Sequence, residues 1–268
     1  MSADKVAHTS SWAKTNDGLE IYFETTGEGQ PIIFQSGYMG IHDIWVNQVK
    51  AMSKKYKCIT HDNRGYGMSS APTDVSYYSM EKNADDLKAI LDTLNIKQPV
   101  VIVTHSIGGT ISVAFTMKYP ELVKGIILTG GPALSNKLFK KAGATPDIWA
   151  KIQQTPTQRR DFYMNIGLSE DIASEASKWN PKAFTLQTNA LLDFEPNYEE
   201  VKKLVTQKVW ILHSKDDNIS PEEFVHEFVN TLPNIKYILK EKFKHFPPTE
   251  APEIVNNLIA EFTSELNY

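Results

Sequence analysis

The segment at residues 98–104 reads Gln-Pro-Val-Val-Ile-Val-Thr, and four of its seven side chains are Val or Ile. A strand without a polar face has to be covered on both sides, as the inner strands of a parallel sheet are. Similar short apolar runs alternate with longer helical patterns along most of the chain. This alternation predicts an α/β protein with a mainly parallel, doubly wound sheet and helices on both of its faces.

The apolar runs predict eight strands and a separate helical segment. Between residues 133 and 206 no strand pattern occurs, and helical stretches take over. We therefore expect an α/β core formed by residues 1–132 and 207–268. Residues 133–206 are expected to form a helical cap, inserted after the sixth strand above the carboxyl ends of the strands, where such sheets bind ligands. The predicted strands are 8–15, 19–25, 31–35, 56–61, 98–104, 123–129, 208–213 and 235–239.

The composition argues against several classes of partner. The 268 residues are 41% apolar and 22% charged, and the formal net charge of −4 gives no attraction to nucleic acid or to an anionic membrane. No apolar stretch approaches the roughly 20 residues that cross a bilayer, and the N-terminal residues lack the apolar core of a secretory signal. Cys58, the one cysteine, cannot form a disulfide within the chain. A cytoplasmic location is the expectation.

Ser106 lies in Thr-His-Ser-Ile-Gly-Gly, between the apolar run and a helical pattern that begins near Thr110. A sharp strand-to-helix turn lifts a serine hydroxyl clear of the backbone, and the helix N-terminus favours developing negative charge. The alternative is a serine that only caps the helix. The strand before it and the helix after it make Ser106 the candidate nucleophile.

A serine hydroxyl needs a base to take its proton. Where a serine lies at such a turn, the acid and then the histidine follow it along the chain, which leaves His213, His226 and His245. His213 ends a predicted strand and His226 falls within a helical pattern, whereas His245 lies in a loop after the last strand. His245 is therefore the candidate base. Two neighbouring carboxylates, Asp216 and Asp217, are candidates for the acid that orients it.

The oxyanion of an acyl-transfer reaction needs N–H donors aimed at it. The backbone N–H of Ile107, directly after Ser106, is one candidate. The loop at residues 35–40 offers a second, and the N–H of Tyr38 fits best. A simple turn is the other interpretation of this glycine-containing loop.

Five segments carry motifs in a fixed order along the chain. Ser36-Gly37-Tyr38, followed by Trp45, is like His-Gly-x, and Asp62-Asn63-Arg64-Gly65-Tyr66-Gly67-Met68-Ser69 is like Asp-x-Arg-Gly-x-Gly-x-Ser. The turn at Ser106 comes next. Ser214-Lys215-Asp216-Asp217 is like Gly-x-x-Asp, and His245-Phe246-Pro247 with Glu250-Ala251-Pro252 is like His-x-Pro and Glu-x-Pro.

With these motifs, the chain resembles the α/β-hydrolase superfamily over nearly its whole length. This resemblance implies the α/β-hydrolase fold, identifies Asp217 rather than Asp216 as the acid, and implies no metal and no organic cofactor.

Three residues depart from the family pattern. Ser36 replaces the histidine of the oxyanion motif, Thr104 replaces the first glycine of the nucleophile turn, and Lys244 replaces a glycine before the histidine. Thr104 is expected to crowd the turn slightly because it lacks glycine's freedom. Ser36 is expected to remove a side chain that normally braces the oxyanion loop.

The resemblance is greatest to small esterases and lactonases, including enol-lactone hydrolases. It implies a serine hydrolase that cleaves a carboxylic ester or lactone of a small to medium, largely apolar substrate through an acyl-enzyme. Two alternatives have the same fold. One is a cofactor-independent oxygenase or perhydrolase, and the other is a receptor-like ligand-binding protein with little turnover.

Overall fold

The computed structural model describes residues 7–38, 40–131, 134 and 155–268. These residues contain an eight-stranded sheet in the order β1-β2-β4-β3-β5-β6-β7-β8. Strands β1 and β2 form an antiparallel hairpin, β2 pairs antiparallel with β4, and the remaining neighbours are parallel. The strands are β1 His8–Lys14, β2 Glu20–Thr26, β3 Gln30–Gln35, β4 Tyr56–His61, β5 Val100–His105, β6 Val123–Thr129, β7 Lys208–Ser214 and β8 Ile235–Lys240.

The helices lie between the strands and on both faces of the sheet. Short 3₁₀ turns cover His42–Trp45, Val75–Tyr77 and Pro120–Leu122. Within the described ranges, no helix has the length and apolar character that crossing a membrane requires. The α-helices are α1 Val46–Met52, α2 Met80–Thr93, α3 Gly108–Lys118, α4 Pro156–Asn165, α5 Glu170–Ala176, α6 Pro181–Asp193, α7 Tyr198–Leu204, α8 Glu222–Thr231, α9 Pro247–Glu250 and α10 Pro252–Glu265.

Strand β5 is buried on both of its faces. Val100 and Ile102 pack into one apolar cluster, and Val101 and Val103 pack into the cluster on the opposite side. Every residue of β5 is buried, which confirms the covering of both faces that its unbroken apolar run predicts. The predicted doubly wound α/β fold is therefore confirmed.

The strand bounds agree with the predicted ones to within two residues. β5 begins at Val100 instead of residue 98 and extends to His105. The later start has a simple reason, because Pro99 has no N–H to donate to a neighbouring strand. β7 and β8 each extend one residue beyond the prediction, to Ser214 and Lys240, which pair with each other.

Helices α4, α5, α6 and α7 lie in the segment between β6 and β7. Residues 132, 133 and 135–154, which belong mostly to the predicted cap, are outside the described residues. The described part of the segment contains α-helix and no strand, as its sequence pattern predicts. The domain boundaries at 132/133 and 206/207 remain a prediction.

Candidate active site

Ser106 lies in the tight turn between β5 and α3. Its φ of +52° falls in the left-handed region, which residues other than glycine rarely adopt. The backbone N–H of Ser106 donates to the carbonyl oxygen of Thr129 on the neighbouring strand β6, at 2.8 Å. This bond ties the turn to the sheet, while the Ser106 side chain remains partly exposed. Strained residues of this kind cluster at functional sites.

The loop after β3 lies directly against this turn. A Cβ atom placed on Gly37 would be 2.8 Å from Ser106 Cβ and 2.8 Å from the carbonyl oxygen of His105. Only glycine fits at this contact, because real Cβ atoms do not approach so closely. The glycine of the Ser-Gly-Tyr motif thus brings the backbone of the β3 loop next to Ser106.

His245 connects Ser106 with Asp217. Its Nε2 atom lies 3.2 Å from Ser106 Oγ, and its Nδ1 atom lies 2.9 Å from Asp217 Oδ2. His245 is 4% exposed and belongs to the loop between β8 and α9, whereas Asp217 follows β7. The fold therefore brings together three residues from three different loops, in the arrangement expected of a nucleophile, a base and an orienting acid.

Asp217, not Asp216, faces His245. Burial alone would raise the pKa of Asp217, but the charge and hydrogen bond of His245 and the N–H groups of Ser220 and Ile219 outweigh burial and lower it. Both N–H groups donate to Asp217 Oδ1 at 2.9 Å. Asp216 is exposed, and its Oδ2 atom accepts a bond from the Lys242 N–H at 2.9 Å. The two neighbouring aspartates therefore have distinct positions.

The other two candidate histidines lie where the sequence places them. His213 is buried in β7, and burial lowers its pKa. His226 is on α8, with its ring 3.4 Å from the Glu222 carboxylate. Neither is bonded to Ser106 or Asp217 among the interactions of the described residues. His245 alone of the three has that position within the described part of the chain.

The two predicted oxyanion donors flank the turn. Neither the Tyr38 N–H nor the Ile107 N–H donates to another residue in the described ranges. Tyr38 belongs to the loop that Gly37 holds against Ser106, and Ile107 precedes α3. Met39, from the same loop, lies outside the described residues. The assignment of these two N–H groups to an oxyanion hole remains a prediction.

Asn63 braces the oxyanion loop, a contact that the sequence does not reveal. Its Nδ2 atom donates to the carbonyl oxygens of Ser36 at 3.2 Å and Gly37 at 3.0 Å. Its Oδ1 atom accepts from Gln35 Nε2 at 2.8 Å. The N–H of Asn63 also donates to Gly40 O at 2.8 Å. Asn63 is the variable second residue of the Asp-x-Arg-Gly motif, so the motif itself gives no signal for this role.

Ser36 forms side-chain hydrogen bonds of its own within the loop. Its hydroxyl accepts a bond from Trp45 Nε1 at 3.0 Å and donates to the Ile41 carbonyl oxygen at 3.0 Å. The side chain is fully buried. Serine is small enough to form both bonds inside the loop, and together with Asn63 it holds the backbone on both sides of Gly37.

Neither of the other two departures from the family pattern has a left-handed backbone. Thr104 is a fully buried residue of β5, and neither Thr104 nor Lys244 is among the described residues with positive φ. The expected crowding of the turn by Thr104 stays a prediction. Lys244 is exposed, and its Nζ atom donates to the carbonyl oxygen of Asn165 at 2.8 Å.

Aromatic rings from the segment between β6 and β7 approach the oxyanion loop. The ring centroid of Phe184 lies 5.5 Å from that of Tyr38 and 4.5 Å from that of Trp179, with which it stacks. Trp149, another aromatic of the predicted cap, lies outside the described residues. In the described parts of the chain, no group of three or more His, Cys, Asp or Glu side chains could hold a metal ion.

Comparison with known proteins agrees with the fold. The family described as alpha/beta hydrolase fold matches residues 30–155. The chain is 25% identical to a bifunctional esterase/perhydrolase of Acinetobacter calcoaceticus, over 94% of this chain and 98% of the relative. It is 31% identical over 115 residues to a cis-3-alkyl-4-alkyloxetan-2-one decarboxylase of Shewanella oneidensis, a match that covers 42% of this chain and 36% of the decarboxylase.

Solved structures extend the agreement in fold to almost the full chain. An esterase from Exiguobacterium antarcticum superposes with a TM-score of 0.82 at 21% identity, covering 96% of this chain and 100% of the esterase. A thermophilic esterase from Thermogutta terrifontis gives a TM-score of 0.79 at 22% identity, covering 97% and 100% of the two chains. The family match and these superpositions show that the chain has the α/β-hydrolase fold.

Proposed function

We propose that this protein is a serine hydrolase that cleaves a carboxylic ester or lactone through an acyl-enzyme, with Ser106 as nucleophile, His245 as base and Asp217 as acid. The observation that carries this proposal is the continuous contact from Ser106 Oγ through His245 to Asp217, at 3.2 Å and 2.9 Å. The left-handed φ of Ser106 supports it, because this conformation exposes the hydroxyl above the sheet.

In the proposed mechanism, Ser106 Oγ attacks the carbonyl carbon while His245 Nε2 takes its proton. Asp217 holds the other ring nitrogen and stabilises the imidazolium that forms. The oxyanion accepts bonds from the N–H groups of Tyr38 and Ile107. His245 returns the proton to the leaving alcohol, and water then attacks the acyl-enzyme with His245 again as base.

The substrate we propose is a small to medium, largely apolar ester or lactone. The rings of Trp179 and Phe184 stack and are buried, and Phe184 packs against Tyr38. Tyr38 follows Gly37 in the loop beside Ser106, so the apolar neighbours of this loop favour an apolar substrate. The names of the relatives agree with this class, since one is an esterase/perhydrolase and the other acts on an oxetan-2-one, which is a four-membered lactone.

A second candidate function is perhydrolysis, which the esterase/perhydrolase relative favours. In this reaction hydrogen peroxide replaces water. Its oxygen attacks the acyl carbon, His245 takes the proton, and Ser106 leaves as a hydroxyl, which releases a peracid. The same three residues serve both reactions, so the acceptor of the acyl group distinguishes them.

The test is hydrolysis of p-nitrophenyl esters of increasing acyl length and of simple lactones, by wild type and by Ser106→Ala. We expect kcat to fall by at least about 10³-fold in the variant. Ser112→Ala is the matched control, because Ser112 Oγ donates to the Gly108 carbonyl oxygen within α3, away from His245. A parallel series with hydrogen peroxide measures peracid formation.

A second pair of variants tests the acid. Asp217→Asn should lower kcat about 10⁴-fold, as loss of the orienting carboxylate does in serine proteases, whereas Asp216→Asn should retain activity. Turnover that survives Ser106→Ala would overturn the mechanism. A wild type that is inert to every ester, lactone and peroxide but binds one of these compounds tightly would instead support the receptor-like alternative.

A further inference from the structure

Glu250 accepts hydrogen bonds from the backbone on both sides of His245. Its Oε1 and Oε2 atoms accept the N–H of Lys244 at 3.1 and 3.0 Å, and Oε2 accepts the N–H of Phe246 at 3.0 Å. Bonds to an ionised carboxylate are stronger than bonds between neutral groups. One side chain therefore fixes the N–H groups of the two residues that flank the proposed base, a role that the Glu-x-Pro motif alone does not indicate.

The turn between α4 and α5 forms hydrogen bonds with the same loop. The N–H of His245 donates to the carbonyl oxygen of Ile166 at 3.3 Å, and Thr249 Oγ1 donates to that of Gly167 at 3.0 Å. Lys244 Nζ adds its bond to Asn165 O. The segment between β6 and β7 thus contacts the His245 loop through three consecutive residues, 165–167.

Gly167 leaves the space that Glu250 fills. A Cβ atom on Gly167 would lie 2.2 Å from the Glu250 carboxylate, and the φ of Gly167 is +117°. A glutamate end group can usually move aside at little cost. Here any such movement breaks the bonds to Lys244 and Phe246, so Gly167 and Glu250 are coupled.

We infer that Glu250 is a positioning residue for His245, and that Gly167 allows the segment between β6 and β7 to hold Glu250 in place. The inference rests on the proposed function for the role of His245. The imidazole has to reach Ser106 and Asp217 at the same time, and a displacement of about 1 Å at such a site costs on the order of 100-fold in rate. Fixing the backbone N–H groups of Lys244 and Phe246 limits that displacement.

The competing explanation is that Glu250 only stabilises the fold. Glu250 is in the short helix α9, and an acidic side chain in the first turn of a helix stabilises it through the helix dipole. Under this explanation Glu250→Gln would lower the melting temperature and leave the reaction of folded protein unchanged. The two explanations therefore differ in kcat and in the environment of the His245 ring.

The experiment compares Glu250→Gln and Glu250→Asp with Glu253→Gln. Gln keeps the length but only one acceptor oxygen, and Asp keeps the charge but is one methylene too short. Glu253, in the exposed first turn of α10, loses the same charge three residues away. We expect kcat for a p-nitrophenyl ester to fall about 10- to 100-fold in both Glu250 variants, with KM changed less than about threefold. Glu253→Gln should match wild type.

A spectroscopic readout accompanies the kinetics and does not need turnover. The proton between His245 Nδ1 and Asp217 gives a low-field proton NMR signal, assigned by its loss in His245→Gln. We expect this signal to shift or broaden in the Glu250 variants at temperatures where circular dichroism shows them folded. Because the signal reports on His245 directly, the inference is tested even if the wild type hydrolyses none of the esters.

A double-mutant cycle tests the coupling to Gly167. Gly167→Ala should lower kcat about tenfold or more in wild type, but should add less than about threefold in the Glu250→Ala background, where the carboxylate is gone. The strain of alanine at this φ is present in both backgrounds and cancels. Unchanged kcat and NMR signal in folded Glu250→Gln would overturn the inference, as would additive effects in the cycle. If the wild type hydrolyses no ester but the NMR signal responds to the Glu250 variants as expected, only the proposed function is contradicted.

Discussion

The Nε2 atom of His105 lies 2.8 Å from the backbone carbonyl oxygen of His245. A carbonyl only accepts, so His105 Nε2 carries the proton of this bond. Burial, and next the charge of His245, lower the pKa of His105 to about 3. Its ring also stacks on Phe246, with centroids 4.4 Å apart. The residue before the proposed nucleophile thus supports the loop of the proposed base as a neutral imidazole.

Neutral buried histidines predict a loss of stability in mild acid. Burial lowers the pKa of His61 to about 4, and that of His105 to about 3, from 6.5 in the unfolded chain. Their contribution is complete above pH 6.5 and is lost as the pH falls toward these values, because only the unfolded state takes up protons there. We expect the free energy of unfolding to fall between pH 6.5 and 5 by up to about 1.4 kcal/mol per pH unit for each histidine.

Urea unfolding at a series of pH values measures this slope. His105→Gln keeps an N–H donor for His245 but does not titrate, so its slope should be smaller by about the share of one histidine. Burial raises the pKa of Asp86 to about 6, so this carboxyl titrates in the same range, but it does so in both proteins and its contribution cancels in the comparison. Equal slopes in the variant and the wild type would contradict a neutral His105.

Removing the Asn63 side chain should impair the oxyanion loop. In Asn63→Ala, the carbonyl oxygens of Ser36 and Gly37 lose the Nδ2 donor, and Gln35 loses its acceptor. We expect kcat to fall about 10- to 100-fold with little change in KM, somewhat less than the loss of an oxyanion donor itself. Steady-state kinetics on the best ester give the result. Asn63→Asp, which is the same size but lacks the donors, should show a similar loss, and full activity in it would exclude this role.

Restoring the family's glycine at position 104 should weaken the protein without improving catalysis. Thr104 is fully buried in β5 between Gln35 of β3 and Leu128 of β6. Thr104→Gly removes packing and frees the unfolded backbone, so we expect a loss of about 1–3 kcal/mol by urea unfolding. Thr104→Val should cost little, because Thr104 Oγ1 has no partner among the described residues. A higher kcat in Thr104→Gly would mean that threonine does crowd the turn.

The arginine of the Asp-x-Arg-Gly motif should contribute to stability. Arg64 bonds Asp86 through Nε at 2.8 Å and Nη2 at 2.6 Å, and both side chains are buried. Asp86→Ala leaves the guanidinium without this partner, and we expect a loss of about 3–5 kcal/mol by denaturant unfolding. The exposed pair of Lys88 and Asp92 is the control, and Lys88→Ala should change stability by no more than about 0.5 kcal/mol. Equal effects would show that burial does not set the value of the Arg64 pair.

The sequence predicts well those features that follow from local patterns. The apolar run that becomes β5 reveals a strand covered on both faces, and the position of Ser106 at its end reveals the turn. The choice of His245 depends on chain order, and Asp217 is separated from Asp216 only by the family motif. In the structure these choices coincide with direct contacts between Ser106, His245 and Asp217.

The support around these residues is not predictable in the same way. The brace of the oxyanion loop joins Ser36, Trp45 and Asn63, which belong to separate segments whose approach only the fold decides. Glu250 bonds to the backbone N–H groups of Lys244 and Phe246. Such bonds do not depend on which side chains these two residues carry, so the sequence gives no signal for them. In the sequence, Ser36 shows only that the family's histidine side chain is missing. The two hydrogen bonds that the serine forms exist only in the folded loop and cannot be predicted from the sequence.

The left-handed backbone of Ser106 sets the proposed activity against thermal stability at one residue. An L-residue in this region costs roughly 1–2 kcal/mol, which glycine avoids. Ser106→Gly should therefore melt about 2–4 °C above Ser106→Ala, which keeps the cost and is equally inactive. A lineage no longer selected for the proposed chemistry would gain heat resistance by replacing this serine with glycine.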